Sequence, residues 1–119
     1  MSPSANALEH EAFEGPLCIL GEEAWEIAEA SGWHGREHAS TADAQIIRLA
    51  LIMSEASEGI EWVRKANPTE MGKELADIII RTVEMAHIYG FELDEIVAEK
   101  MAYNRKRLDV PARDGGKAV

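Results

Sequence analysis

Proline and glycine divide this sequence into stretches whose apolar residues recur every three or four positions. Glycines interrupt the middle of the chain, the pair Asn67-Pro68 breaks a long helical pattern, and Gly90 ends another. Residues three and four apart fall on one face of a helix, whereas no run of β-branched residues alternates with polar ones over the length of a strand. The sequence therefore predicts an all-α fold with four helices, at about 16–31, 41–66, 68–89 and 92–108.

The residues at the ends of these stretches have the chemistry of helix caps. Thr41 can cap the second helix, and Asn67 can cap the third, with Pro68 at its favoured first position. Gly90 stands where a helix usually ends in a left-handed residue. These signals place the boundaries of the second and third helices.

The apolar residues of the third helix surround its axis, which is typical of a helix covered on nearly all sides. They are Leu75, Ile78, Ile79, Ile80, Val83, Met85, Ala86 and Ile88. Four short helices do not enclose one of their own members from every direction. We therefore expect a four-helix bundle that is completed by oligomerisation, as a homodimer.

The length of 119 residues suffices for one domain with a core. We expect a single domain over 1–119, with a loose N-terminal segment at 1–15 and a flexible tail at 109–119. No apolar run approaches the roughly 18 residues of a membrane span. The lone Cys18 rules out an intrachain disulfide and fits a reducing compartment, and no secretory signal is visible, so we expect a cytoplasmic protein.

The charge balance restricts the partners of the chain. Twelve Lys and Arg stand against 22 Asp and Glu, a formal net charge of −10. Unaided binding to a nucleic acid or to an anionic membrane depends on clustered cations, so neither partner is expected. A small polyanion would need a metal bridge.

Two acidic pairs lie on the central helices, Glu55 with Glu58 and Glu74 with Asp77. A spacing of three places each pair on one helical face, so two neighbouring helices can present four carboxylates to one point. Oxygen ligands alone suit Mg²⁺ or Mn²⁺. Without a cation the arrangement is costly, because one pair of like charges at 4 Å repels by about 4 kcal/mol at an effective dielectric constant of 20.

A plainer interpretation of the acidic pairs is a solvated helix face, because several other glutamates share the spacing in this acidic chain. They are Glu11 with Glu14, Glu23 with Glu26, Glu26 with Glu29, Glu58 with Glu61, and Glu92 with Glu95. The pairs on the central helices differ from these in their apolar surroundings, which keeps the metal site open as the alternative to the solvated face.

The fourth helix carries Lys100, Asn104 and Arg107 at steps of four and three, as candidates for binding phosphate oxygens. Their alternative role is to complement the dipole at the end of the helix. Arg81 shares the face of Glu74 and can serve as an ion-pair partner or as a phosphate ligand, the first being favoured.

Two tryptophans, Trp62 and Trp33, are candidates for stacking on a nucleobase, although aromatic residues of a core or an interface are commoner. His34 and His38 have the spacing of zinc ligands, but no cysteine or further histidine stands nearby. The sequence shows no glycine-rich phosphate loop, no Ser/His/Asp set and no activated cysteine.

Taken in order, three segments resemble the MazG-like branch of the all-α nucleoside triphosphate pyrophosphohydrolases. That family carries Glu-Glu-x-x-Glu, then Glu-x-x-Asp, and later Lys-x-x-x-Asn. The matching segments here are Ser54-Glu55-Ala56-Ser57-Glu58, Glu74-Leu75-Ala76-Asp77 and Lys100-Met101-Ala102-Tyr103-Asn104. One position departs from the pattern, since Ser54 stands in place of the first glutamate.

The resemblance implies a helical bundle, assembled as a dimer or a dimer of dimers, that binds Mg²⁺ through the catalytic carboxylates Glu55, Glu58, Glu74 and Asp77. It implies hydrolysis of a nucleoside triphosphate to the monophosphate and pyrophosphate. Lys100 and Asn104 match positions that contact the nucleotide, and Arg107 matches more loosely. Narrower alternatives are a dUTP, dCTP or phosphoribosyl-ATP pyrophosphatase, and a different class is a catalytically silent helical protein that binds nucleotide or another protein.

Overall fold

Four helices follow one another along the chain in a computed structural model, which describes residues 15–32 and 41–108. They are α1 (Pro16–Ala30), α2 (Ala42–Arg64), α3 (Pro68–Tyr89) and α4 (Leu93–Arg107). These residues include no strand. The predicted all-α class is confirmed, and each helix ends within two residues of its expected boundary.

The predicted caps form. Thr41 Oγ1 accepts a hydrogen bond from the Ala44 amide, and Asn67 Oδ1 accepts one from the Glu70 amide, both at 3.1 Å. Gly90 has a φ of 73° and closes α3 in the left-handed conformation. The turn between α2 and α3 has the same shape but places Ala66 at a φ of 54°, where glycine is usual.

The second helix ends two residues earlier than predicted because its last turn closes on itself. The amides of Ala66 and Asn67 donate to the carbonyls of Val63 and Trp62. This is the hydrogen-bond pattern that ends a helix through a left-handed residue. Because a residue before proline disfavours the helical conformation, the chain turns at this point and α3 begins directly at Pro68.

The core lies along α3, which packs against α1 on one side and α2 on the other. Val83, with 2 % of its surface exposed, and Ala86 form its most buried points. Gly21 of α1 allows a close crossing here, since a Cβ atom at this residue would lie 2.5 Å from the Val83 carbonyl oxygen. The crossing therefore fixes α1 and α3 at short range.

The start of α4 is fastened to the start of α1. Asp94 accepts hydrogen bonds from the amides of Leu17 and Cys18 at 3.0 and 2.8 Å, and so caps a helix whose own N-cap, Gly15, has no side chain. Although desolvation raises the pKa of Asp94, hydrogen bonds from Cys18 and the two amides lower it overall. Burial and the contact with Asp94 raise the pKa of Cys18.

Much of the apolar surface of α2 and α3 is exposed in the single chain. The stripe on α2 includes Met53, 71 % exposed, and Val63, 63 % exposed, while Leu75 of α3 is 53 % exposed. The third helix is therefore covered by α1 and α2 on only part of its circumference. An apolar surface of this kind usually marks an interaction site.

Several predicted features fall outside the described residues. They are residues 1–14 of the N-terminal segment, the tail at 109–119, and the interval 33–40 with Trp33, His34 and His38. Within the described ranges, no helix combines the length and hydropathy needed to cross a membrane.

Candidate active site

The packing of α2 on α3 brings together acidic residues that lie far apart in the sequence. Glu55, Gly59 and Trp62 follow at steps of four and three, and all three lie on the face of α2 that meets α3. A Cβ atom at Gly59 would lie 3.7 Å from Cβ of Glu74. Glu74 therefore lies against α2 beside Gly59, between Glu55 and Trp62.

Three of the four predicted ligands form one group. Carboxylate oxygens of Glu55, Glu58 and Glu74 all lie within 4.8 Å of one another. Glu55 is buried, Glu74 half-buried and Glu58 exposed, so the group opens to solvent on one side. Asp77, the fourth predicted ligand, lies exposed on α3 and is not part of this group.

The grouping makes Glu74 harder to ionise than an ordinary glutamate. Partial burial raises its pKa, the hydrogen bond from Trp62 lowers it in part, and the neighbouring Glu58 and Glu55 raise it further. A cation among these carboxylates would favour their ionised form. The site is therefore electrostatically suited to a positive charge.

One cation is already present at the inner edge of the group. Arg81 Nε lies 2.7 Å from Glu55 Oε2, and 10 % of the Glu55 side chain and 33 % of the Arg81 side chain are exposed. The expected ion-pairing role of Arg81 is confirmed, with Glu55 as its partner. The pair compensates the most buried carboxylate and fixes its orientation.

Removal of the Arg81 charge is expected to destabilise the metal-free protein. In Arg81→Met, Glu55 keeps its burial but loses its partner, so the free energy of unfolding should fall by about 1 to 3 kcal/mol. Mg²⁺ should then raise the melting temperature more in this variant than in the wild type, because it supplies the missing charge. Thermal unfolding with and without Mg²⁺ measures both effects, with Arg81→Lys as the control. Equal metal-free stability of Arg81→Met and wild type would contradict this role.

The group fits a small divalent cation in its donor atoms and its size. All donors are carboxylate oxygens, the ligands that Mg²⁺ and Mn²⁺ prefer. Opposed oxygens around Mg²⁺ are about 4.2 Å apart, twice a ligand distance of about 2.1 Å. The observed spread of up to 4.8 Å requires only small side-chain rotations to reach that distance.

Trp62 borders the group, and Ser54 lies just before Glu55 on α2. Trp62 Nε1 donates a hydrogen bond to Glu74 Oε2 at 3.2 Å, and Lys65 Nζ lies 5.1 Å from the centre of the Trp62 ring. Ser54, which replaces the first glutamate of the motif, is exposed and donates to the carbonyl of Leu51 at 2.7 Å. Its hydroxyl is thereby directed at its own helix.

The predicted phosphate-binding residues lie on α4, whose main contact within the chain is with α1. Lys100 Nζ and Arg107 Cζ lie 5.4 and 5.7 Å from the centre of the Tyr103 ring, and Asn104 is half-buried. No residue of α4 is buried, and α4 makes no extended contact with α2 or α3. The single chain therefore does not bring this cationic stripe to the acidic group by helix packing.

Some contacts of the site were not predicted from the sequence. The hydrogen bond from Trp62 to Glu74 joins residues 12 apart on different helices. A usable signal was present, since Glu55 and Trp62 are seven residues apart and so share one helical face through Gly59. Trp33, the other predicted aromatic ligand, lies outside the described residues.

Comparison with known proteins agrees with the geometry. The model of the MazG nucleotide pyrophosphohydrolase domain matches residues 45–109. These residues include α3, α4 and all but the first turn of α2, and hence the whole acidic group. Searches of curated proteins and of solved structures found no significant match. The family is typically metal-dependent, in keeping with the carboxylate group on α2 and α3. Because the match covers more than half of the chain, this protein belongs to the MazG nucleotide pyrophosphohydrolase domain family.

Proposed function

We propose that the chain is a Mg²⁺-dependent enzyme that hydrolyses a nucleoside triphosphate to the monophosphate and pyrophosphate. The observation that carries the proposal is the convergence of Glu55, Glu58 and Glu74 from two helices onto one point, inside the segment that matches the family. Mn²⁺ has the same ligand preference and is the expected substitute.

The proposed cation ligands are Glu55, Glu58 and Glu74, with Asp77 as the fourth. Asp77 stands one helical turn after Glu74 on the same face of α3. A change of its side-chain rotamer would therefore bring its carboxylate toward the same point. A divalent cation bound here supplies positive charge against a polyphosphate and activates water for attack on phosphorus. The rigid faces of α2 and α3 hold the carboxylates in position for this chemistry.

The acidic group has an inner edge, next to Arg81, and an outer edge that is open to solvent. Arg81 compensates Glu55 at the inner edge, while Glu58 faces solvent at the outer edge, where a substrate can enter. Lys100, Asn104 and Arg107 are the proposed ligands of the phosphate oxygens. Two cations and an amide suit the charge that develops on those oxygens during hydrolysis.

We propose that the active enzyme is a homodimer or a dimer of dimers. The exposed apolar stripe on α2 and the exposed face of α3 provide the surface. A second copy also offers a way to bring an α4 helix to the acidic group. A nucleotide substrate and a single free cysteine, Cys18, fit a cytoplasmic location.

Light scattering tests the assembly. At micromolar concentration we expect a mass of two or four chains of 13.1 kDa each, because burial of apolar surface stabilises association by about 25 cal/mol per Å² before its entropic cost. Ile79→Glu, which places a charge on the half-exposed face of α3, is expected to shift the mass toward one chain. A wild-type monomer under these conditions would contradict the proposal.

A panel of nucleotides tests the reaction and its alternatives. The full chain is incubated with Mg²⁺ and each of the common ribonucleoside and deoxyribonucleoside triphosphates, and with phosphoribosyl-ATP, and pyrophosphate release is measured. Hydrolysis of several triphosphates supports the proposed activity, and hydrolysis of one compound indicates a substrate-restricted relative. Nucleotide binding without any turnover would indicate the catalytically silent class.

A further inference from the structure

Trp62 contacts the acidic group without belonging to it. Its indole Nε1 donates to Glu74 Oε2 at 3.2 Å, and both side chains are half-buried. Partial burial reduces the competition of water for this hydrogen bond. Trp62 is thus placed to act on the carboxylate through a single, directed contact.

The orientation of Glu74 depends on such a contact. The last torsion of a glutamate side chain is broad, so an unanchored carboxylate samples many rotations. Arg81 performs the anchoring for Glu55, through Nε at 2.7 Å. For Glu74 the structure provides the indole N–H, which fixes one oxygen and thereby the plane of the carboxylate.

The Trp62 ring also contacts a residue outside the acidic group, Lys65. Lys65 Nζ lies 5.1 Å from the ring centre, a cation–π distance, just after the end of α2. Glu74 lies beside Gly59, which stands one turn before Trp62 on the same face of α2. The ring therefore has a partner on its face and another at its N–H.

We propose that Trp62 is a positioning residue for the metal ligand Glu74, rather than a platform for the nucleobase. This inference rests on the proposed metal site. A group that orients a ligand in this way typically contributes 10- to 100-fold to metal affinity. Loss of the N–H with retention of an aromatic ring is therefore expected to weaken metal binding and to leave the fold in place.

The test measures Mn²⁺ binding to the full chain by electron paramagnetic resonance, without nucleotide. Trp62→Phe is expected to raise the apparent Kd for Mn²⁺ by about tenfold. Trp25→Phe is the matched control, because Trp25 lies on α1 against His87 and should bind Mn²⁺ as the wild type does. Glu74→Gln removes the ligand itself and should lose most of the binding.

A second measurement does not require the Trp62 variant to fold. The chain has three tryptophans, so Trp25→Phe/Trp33→Phe leaves Trp62 as the only tryptophan, which can be excited selectively over the tyrosines. Its fluorescence is expected to change on addition of Mg²⁺, over the concentration range in which the metal binds. A purely structural role of Trp62 would leave this emission unchanged.

The outcomes separate this inference from the function on which it rests. Wild-type binding that is lost in Glu74→Gln but unchanged in Trp62→Phe would overturn the positioning role and leave the metal site intact. Emission of Trp62 that does not respond to Mg²⁺ bound by the same protein would overturn it as well. Absence of Mn²⁺ binding to the wild type would overturn the metal site, and the role of Trp62 with it.

Discussion

Glu74→Gln is expected to abolish Mg²⁺-dependent pyrophosphate release, with a loss of at least about 100-fold in turnover. The substitution keeps the volume of the side chain and its hydrogen bond from Trp62 but removes one of the three converging negative charges. Because the pKa of Glu74 is raised by its surroundings, the neutral amide should not lower the stability of the metal-free protein. Turnover and thermal unfolding are measured on the same preparation.

Glu70→Gln is the matched control. Glu70 lies one turn earlier on α3 and pairs with Lys73 at 2.8 Å, outside the acidic group. Its loss should cost little, since exposed pairs of this kind contribute about 0.2 to 1 kcal/mol. Full turnover in a folded Glu74→Gln protein would rule out the proposed site.

Complementation between two inactive variants is expected to restore pyrophosphate release. One variant carries Glu74→Gln, and the other carries Lys100→Ala together with Arg107→Ala. If α4 of one copy serves the acidic group of the other, a mixed dimer contains one site with neither defect. The reason is that α4 packs mainly on α1 and makes no extended contact with α2 or α3 of its own chain.

Random pairing of the two variants at equal amounts makes half of the dimers mixed, and each mixed dimer holds one intact site of two, so about a quarter of wild-type turnover should return. Co-expression with two affinity tags isolates the mixed dimer, in which about half should return. Activity no higher than the sum of the separate variants would show that one chain supplies all groups of a site.

Local rules of the sequence were sufficient for the helices. Asn67 before Pro68 and Gly90 after Tyr89 define the ends of α3 through chemistry within a few residues of each end. The cap of α1 could not be predicted from neighbouring residues, because its acceptor, Asp94, lies more than 75 residues away in the sequence. The lack of a capping side chain at Gly15 was the only local indication that a partner was needed.

The candidate site was predictable in its carboxylates but less so in their neighbours. Spacing alone placed Glu55 beside Glu58, while the approach of Glu74 depends on how α2 crosses α3 at Gly59. Helical periodicity does not specify such a crossing. For the same reason the sequence named Arg81 as an ion-pair candidate without identifying Glu55 as its partner.

The apolar pattern of α2 and α3 was recognised, but a single chain does not bury it. The sequence predicted a third helix covered on nearly all sides, and the structure leaves Leu75, Ile79 and Ile80 about half exposed. Helical periodicity identifies the apolar faces of a helix. It does not indicate whether residues of the same chain or of a second chain bury those faces. The proposed assembly accounts for the difference.

The identity of the phosphorus products shows directly which phosphoanhydride bond the enzyme cleaves and whether cleavage needs the metal. The full chain is incubated with Mg²⁺ and its best triphosphate substrate, and the products are resolved by ³¹P nuclear magnetic resonance. The proposed reaction yields a nucleoside monophosphate and pyrophosphate in equal amounts, with no turnover when a chelator removes the metal. Release of a diphosphate and orthophosphate, or equal turnover without a divalent metal, would contradict it.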